Sequence, residues 1–145
     1  MPRQITRNRP LQLIYGIVLA LSPLAADTAE VIVHREVSTA TLTVSMARAM
    51  FGMRQNKWPD GTPLKVFVLP DAHPLHKALC REVLDVFPYQ LRQSWDRQVY
   101  SGTGQAPTEL TSEEQMISQV SATPGAIGYV KKASNSDAVR IVPVH

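Results

Sequence analysis

Hydrophobic and polar residues follow one another along this chain in two periods, that of a β-strand and that of an α-helix. Short apolar or β-branched runs predict strands at residues 30–34, 64–69, 126–130 and 139–144. Apolar positions spaced three and four residues apart predict helices at 38–50, 74–85, 88–100 and from 111 to about 122. Strands that alternate with helices predict an α/β domain, in which helices flank a small mixed sheet.

The stretch 122–130 predicts a helix end, a tight turn and a buried strand in close succession. Pro124 cannot continue a helix, and Gly125 tolerates a positive φ. Gly128 interrupts an otherwise apolar strand, which indicates close approach by another backbone or a packed helix. Such a pattern is typical of ordinary α/β core and by itself predicts no function.

Two of the predicted helices have further sequence signals. Thr111 and Glu114 have the spacing of a capping box, in which each side chain binds a backbone amide of the first turn. The helix at 74–85 has a buried stripe predicted at Leu75, Leu79 and Val83. Cys80, the only cysteine, lies in that pattern and is predicted to be a small buried residue, with a reactive thiol as the alternative.

The first 26 residues have the pattern of a secretory signal. Arg3, Arg7 and Arg9 form a basic segment before an apolar core at 11–21, which is short for a membrane span. Small residues follow, and cleavage after Ala26 is predicted; an uncleaved N-terminal anchor is the alternative. The predicted mature domain is 27–145, located in the periplasm.

Removal of this signal changes the charge balance. The chain has 15 Lys and Arg against 12 Asp and Glu, and three of the arginines but none of the acids lie in the signal. The mature chain therefore has 12 residues of each sign and is formally neutral. The basic isoelectric point is mostly a targeting feature, and it predicts no nucleic-acid partner.

Three separated segments, 49–58, 66–83 and 119–130, resemble in order and spacing the phosphate-binding periplasmic proteins of ABC transporters. The first resembles an Ile-Phe-x-Gly…Trp segment, and the last a Thr-Pro-Gly-Ala-Ile-Gly-Tyr-Val segment. One departure is that Gly52 follows Phe51 directly, so that Met53 stands where the family has glycine. The resemblance implies one lobe of a type II periplasmic-binding-protein-like fold, since two-lobed members clamp an anion and this mature chain has the length of one lobe.

In two-lobed members of that family, a Ser-Gly-Thr at the start of the helix after the second strand binds phosphate. The matching residues here are 71–75, where Ala72 lacks a hydroxyl, Pro74 lacks an amide and Asp71 adds negative charge. This implies weak or lost phosphate binding. His73 is a candidate for attracting an anion when it is protonated.

Ser101, Gly102 and Thr103 reproduce the Ser-Gly-Thr motif at a different place. They follow a predicted helix, and the C-terminal end of a helix is electronegative. A helix-terminating glycine loop is therefore the favoured interpretation, with anion binding as the alternative. Trp58 lies in a predicted loop and is the candidate for an exposed recognition aromatic, whereas Trp95 fits a core stripe.

The residue pattern predicts neither an enzyme nor a bound cofactor. No nucleophile has an identifiable base in its motif context. Asp71, His73 and His76 have spacing compatible with a metal site, but a solvated helix start is favoured, and no metal is predicted. The predicted function is a secreted, non-enzymatic, solute-binding-like protein with weak or lost binding of phosphate or another small anion. The alternative is an interaction or regulatory module that docks on a membrane sensor or transporter.

Overall fold

The computed structural model describes residues 28–131 and 137–145, together with Gly16. The predicted signal sequence otherwise lies outside the described residues, as does part of the predicted loop before the last strand. No helix within the described part of the chain has the length and apolar character that crossing a membrane requires.

One five-stranded mixed sheet forms the centre of the fold. Its strands are β1 (Ala29–His34), β2 (Lys65–Val68), β3 (Thr108–Glu109), β4 (Ala126–Lys131) and β5 (Val139–Ile141). Their spatial order is β3-β2-β4-β1-β5. β2 pairs in parallel with β3 and β4, whereas β1 pairs antiparallel with β4 and β5. The predicted α/β class with a small mixed sheet is confirmed.

Helices cover both faces of this sheet. They are α1 (Val44–Phe51), α2 (Pro74–Ala78), which continues as a π-helical turn over Leu79–Leu84, α3 (Pro88–Tyr100) and α4 (Glu113–Ala122). Gly128 of β4 contacts α4, because a Cβ there would lie 2.5 Å from Met116 Sδ and 3.0 Å from Val120 Cγ2. The ring of the next residue, Tyr129, lies 5.9 Å from that of Phe51. Successive strand residues point to opposite faces, so α1 and α4 lie on opposite sides of the sheet.

The turn into β4 has the predicted conformation. Gly125 has a φ of 77°, and a Cβ at this position would lie 2.2 Å from the carbonyl oxygen of Pro63. Both the backbone angle and the close approach therefore require glycine. All residues of β4 before Lys131 are buried, as the apolar run predicted.

Two helix starts and one short strand differ from the prediction. α1 begins at Val44 instead of residue 38, because Leu42 forms an isolated parallel bridge with Val144 and the Thr43 side chain then accepts from the amide of Met46. Ser112, not Thr111, caps α4, and its Oγ accepts from the amide of Gln115. β3 has only two residues, both exposed, and so offers no periodicity from which to predict a strand.

Candidate functional site

An ion pair lies beyond the carboxyl end of β2, next to the start of α2. Arg92 of α3 donates through Nε and Nη2 to the two carboxylate oxygens of Asp71, at 3.0 and 2.9 Å. The same Nη2 lies 3.9 Å from Oε2 of Glu109 at the end of β3, and the guanidinium carbon lies 4.9 Å from the centre of the Trp95 ring. Two parallel hydrogen bonds make this a bidentate pair, the stronger form of charge-assisted contact.

This contact also changes the titration of Arg92. The hydrogen bond to Asp71 raises the pKa of Arg92, and the nearby negative charges of Asp71 and Glu109 act in the same direction. The side chains of Arg92 and Asp71 are both partly exposed, so solvent screens the pair. The guanidinium that would attract an anion at this edge of the sheet therefore already has a carboxylate bound to it.

The first turn of α2 has few amides to offer an anion. His73 is the N-cap, and its Nδ1 accepts from the amide of Leu75 at 3.1 Å. Pro74 has no amide, and the amide of Lys77 donates to the carbonyl of His73. Because Nδ1 of His73 accepts the amide of Leu75, the start of the helix is closed by the chain itself.

A buried polar pair lies directly below this turn. The Tyr129 hydroxyl accepts from the amide of Leu69 at 2.7 Å and lies 2.6 Å from Nδ1 of His76, which is fully buried. We assign the hydroxyl proton to the bond with Nδ1, so the imidazole proton is on Nε2. Nε2 lies 3.6 Å from Cys80 Sγ and 3.9 Å from Asp71 Oδ1.

Burial sets the protonation states of these three side chains. It lowers the pKa of His76, against the charge of Asp71, which raises it. Burial also raises the pKa of Tyr129, and it raises the pKa of the Cys80 thiol to about 12. At neutral pH all three groups are uncharged. The burial of Cys80 agrees with the sequence prediction, and a thiol with this pKa is a poor nucleophile.

Ser101, Gly102 and Thr103 form the C-terminal turn of α3. Gly102 has a φ of 70°, and the amides of Ser101 and Thr103 donate to carbonyls of the last helical turn. The two hydroxyls lie 2.7 Å apart, and Thr103 Oγ1 donates to the side chain of Gln98. These contacts are those of a helix-terminating loop. Among the described residues, no hydrogen bond links this turn to His73 or Trp58.

Trp58 is buried, so the expectation that it is an exposed recognition aromatic is wrong. Its side chain is only 3% exposed, and its indole N–H donates to the carbonyl of Gly125 at 2.9 Å. The ring therefore fixes the loop before β2 to the turn before β4. The sequence places Trp58 in a loop, but it does not show that the ring packs against a turn 67 positions away.

The metal interpretation has little geometric support. His73 uses Nδ1 as a cap, and His76 uses Nδ1 at Tyr129. Within residues 28–131 and 137–145, no group of three His, Cys, Asp or Glu side chains is placed to hold a metal ion.

Sequence reasoning missed Arg92, Glu109 and the hydroxyl of Tyr129. The one available signal was the position of Arg92 three residues before Trp95 on a predicted helix, a spacing that places a cation beside an indole ring. Its pairing with Asp71 spans 21 positions and two elements, so no local pattern reveals it.

Several solved structures share this fold. An ABC-type phosphate transport receptor from Vibrio cholerae matches with a TM-score of 0.63 and 11% identity, over 81% of this chain and 46% of the receptor. A putative phosphate ABC transporter substrate-binding protein with bound phosphate, from Clostridium perfringens, matches with a TM-score of 0.65 and 18% identity, over 81% and 45%. PstS from Borrelia burgdorferi matches with a TM-score of 0.62 and 13% identity, over 81% and 47%.

No family model matches the chain, and no curated protein matches it either. At identities this low the likeness shows the fold. The chain spans about half the length of each of these structures. The resemblance predicted from the three sequence segments is thus confirmed in fold: the chain is a single-lobe structural relative of the phosphate ABC transporter substrate-binding proteins.

Proposed function

We propose that this chain is an exported, non-enzymatic, solute-binding-like protein in which phosphate binding at the start of α2 is weak or lost. The observation that supports it best is the bidentate contact between Arg92 and Asp71. The planar donors of arginine match a carboxylate and a phosphate equally well, so the two anions compete for one side chain. Asp71 is part of the same chain and always lies close to Arg92, so it competes better for this side chain than dissolved phosphate does.

Two further features oppose phosphate at this position. The negative charge of Asp71 repels an incoming anion, and the first turn of α2 lacks the amide of Pro74. A single lobe also leaves one side of any bound anion in water, where charge-assisted hydrogen bonds are weaker. We expect a phosphate dissociation constant no tighter than about 1 mM, equivalent to about 4 kcal/mol.

Thermal unfolding in phosphate tests this proposal. A ligand at 100 times its dissociation constant stabilises a protein by about 2.7 kcal/mol, so micromolar phosphate should leave the melting temperature of the wild type unchanged. Matched chloride is the control for ionic strength. A saturable upward shift at micromolar phosphate would overturn the weak-binding proposal.

Substitution of Asp71 tests the stated cause. Asp71→Asn removes the competing charge and releases Arg92, so phosphate affinity should rise by about tenfold, equivalent to about 1.4 kcal/mol. The double variant Asp71→Asn/Arg92→Gln is the matched control and should lose that gain. Unchanged affinity in Asp71→Asn would show that the ion pair is not what closes the site.

A second candidate function is docking on a membrane sensor or transporter. The side chains of Phe87 and Tyr89 at the start of α3 are each 59% exposed, and their rings stack with centroids 5.7 Å apart. Exposed aromatics are enriched at interaction surfaces. If these rings bind a partner, Phe87→Ala/Tyr89→Ala should abolish cross-linking to membrane proteins in cells without lowering the melting temperature. Cross-links that persist in the variant would exclude this surface.

A further inference from the structure

A cleft between the C-terminal end of α1 and α3 has a composition unlike that of the Asp71 site. Its volume is about 210 Å³, and its polar lining includes Arg48, Arg54 and Arg97. Two glutamines and Ser94 also line it, and no lining residue is a carboxylate. The predicted mature chain is formally neutral, so this positive cluster is a local feature. We propose that this arginine cleft binds a small polyvalent oxyanion that carries phosphate groups.

One wall of the arginine cleft is held in place by the fold. Nε of Arg48 donates to the carbonyl of Leu84, and Nη2 lies 3.4 Å from Oδ2 of Asp85. Asp85 is well exposed, so this ion pair is weak, but its carboxylate offsets part of the charge that Arg48 brings to the cleft. A guanidinium fixed by a backbone carbonyl loses little side-chain freedom when it meets a ligand.

The other two guanidiniums are available for a ligand. Arg54 and Arg97 are exposed, and neither side chain has a hydrogen-bond or ion-pair partner among the described residues. Each guanidinium presents five donors in a planar arrangement that matches phosphate oxygens. Two unpaired arginines and a third anchored one thus face the same small volume, and only Arg48 has an acid, Asp85, beside it.

Gly52 forms the floor of the arginine cleft. Its carbonyl accepts from Oγ of Ser94 at 2.7 Å. A Cβ at this position would lie 2.8 Å from the carbonyl oxygen of Arg48, 3.3 Å from Ser94 Oγ and 3.6 Å from Nε of Arg54. The absence of a side chain therefore keeps open the space on which these groups converge.

Size and position define the ligand class. The volume is below the roughly 300–1,000 Å³ of sites for drug-sized molecules, so a compact anion fits better than a nucleotide. Gln90, Ser94 and Arg97 have the spacing of one helix face, whereas Arg92 lies on the opposite face of α3. The arginine cleft is therefore independent of the Asp71 site and does not rest on the proposed function.

Calorimetric titration with pyrophosphate at constant ionic strength tests the proposal. We expect saturable binding to the wild type with a dissociation constant near 1 mM or tighter, and at least a tenfold loss in Arg54→Gln/Arg97→Gln. The control Arg35→Gln/Lys65→Gln has the same net charge and alters two exposed residues that do not line the cleft. This control and Arg92→Gln should bind as the wild type does.

Two results would overturn the inference: no saturable binding by the wild type up to about 10 mM pyrophosphate, or equal affinity in Arg54→Gln/Arg97→Gln. Because the substituted side chains are exposed, the melting temperature without ligand should not change. The single variant Arg97→Gln should lose less pyrophosphate affinity than the double variant.

Discussion

At the scale of single residues, the most constrained group is the hydroxyl of Tyr129. It joins the amide of Leu69, just beyond β2, to the imidazole of His76 in α2, and all three residues are buried. A buried polar group without a hydrogen-bond partner lowers the stability of the folded state by its full desolvation free energy. This hydroxyl therefore satisfies two groups at once and positions α2 relative to the sheet.

Tyr129→Phe removes only that oxygen and leaves the Leu69 amide and His76 Nδ1 unpaired. We expect the free energy of unfolding to fall by about 2–4 kcal/mol, since each unsatisfied buried group costs about 1–3 kcal/mol. Urea unfolding measures this change. Tyr100→Phe is the matched control, because that side chain is 88% exposed and should lose nothing measurable. Equal unfolding midpoints for Tyr129→Phe and the wild type would contradict the assigned hydrogen bonds.

His76 predicts a dependence of stability on pH. Burial lowers its pKa in the folded state below the unfolded value of about 6.5. The unfolded chain therefore binds more protons between the two values, so stability is fully present above about pH 6.5 and is lost as the pH falls below it. Chemical unfolding of the wild type and His76→Gln at several pH values isolates this contribution. A variant with the same pH slope as the wild type would exclude His76 as its source.

At the scale of elements, α2 and its π-helical continuation form the cover over one face of the sheet. His73 caps the start, Pro74 occupies the first turn, and Leu75 and Leu79 are buried as the helical stripe predicted. Val83, the third residue of that stripe, is only partly buried. The π-helical turn shifts the register between Leu79 and Leu84, so Leu84 becomes the buried residue at the end of the helix.

Leu79→Ala tests how much this packing contributes. Leu79 is fully buried, and its truncation should lower the free energy of unfolding by about 2–5 kcal/mol through lost burial and a residual cavity. Val99→Ala on α3 is the control, since its side chain is 49% exposed and surface truncations change stability by no more than about 0.5 kcal/mol. A denaturant midpoint for Leu79→Ala equal to that of the wild type would disprove the packing.

At the scale of the whole molecule, the described residues form one lobe whose two sides differ electrostatically. Beyond the carboxyl end of β2, Arg92 is neutralised by Asp71 with Glu109 nearby, whereas the opposite face of α3 carries the carboxylate-free arginine cleft. An anion attracted to this molecule is therefore directed away from the position that the family resemblance implies.

Export itself is predicted by the first 26 residues, which lie outside the described structure apart from Gly16. The mature protein should begin at Asp27, because small residues follow the apolar core immediately before it. Intact-mass measurement on material from the periplasmic fraction checks this, with the cytoplasmic precursor as the control. A mass that still includes residues 1–26 would contradict cleavage and support the alternative of an uncleaved N-terminal anchor.

The sequence by itself determined the α/β class, four of the five strands and the turn at Gly125. Each of these depends on neighbours within a few positions: a run of apolar residues, a proline that cannot continue a helix, a glycine that tolerates positive φ. Each of the three segments that resemble the family is likewise a continuous stretch of sequence, and together they sufficed to predict the single-lobe fold.

Only the tertiary structure decided the candidate sites. The pair of Arg92 with Asp71, the burial of Trp58 against Gly125 and the bond from His76 to Tyr129 join residues 21, 67 and 53 positions apart. β3 is a strand only because it pairs in parallel with the edge of β2. Likewise, α1 begins later than predicted because Leu42 pairs with Val144. Such contacts depend on how elements pack, and a charged or polar side chain has the same local signature whether its partner is water, a ligand or a distant residue.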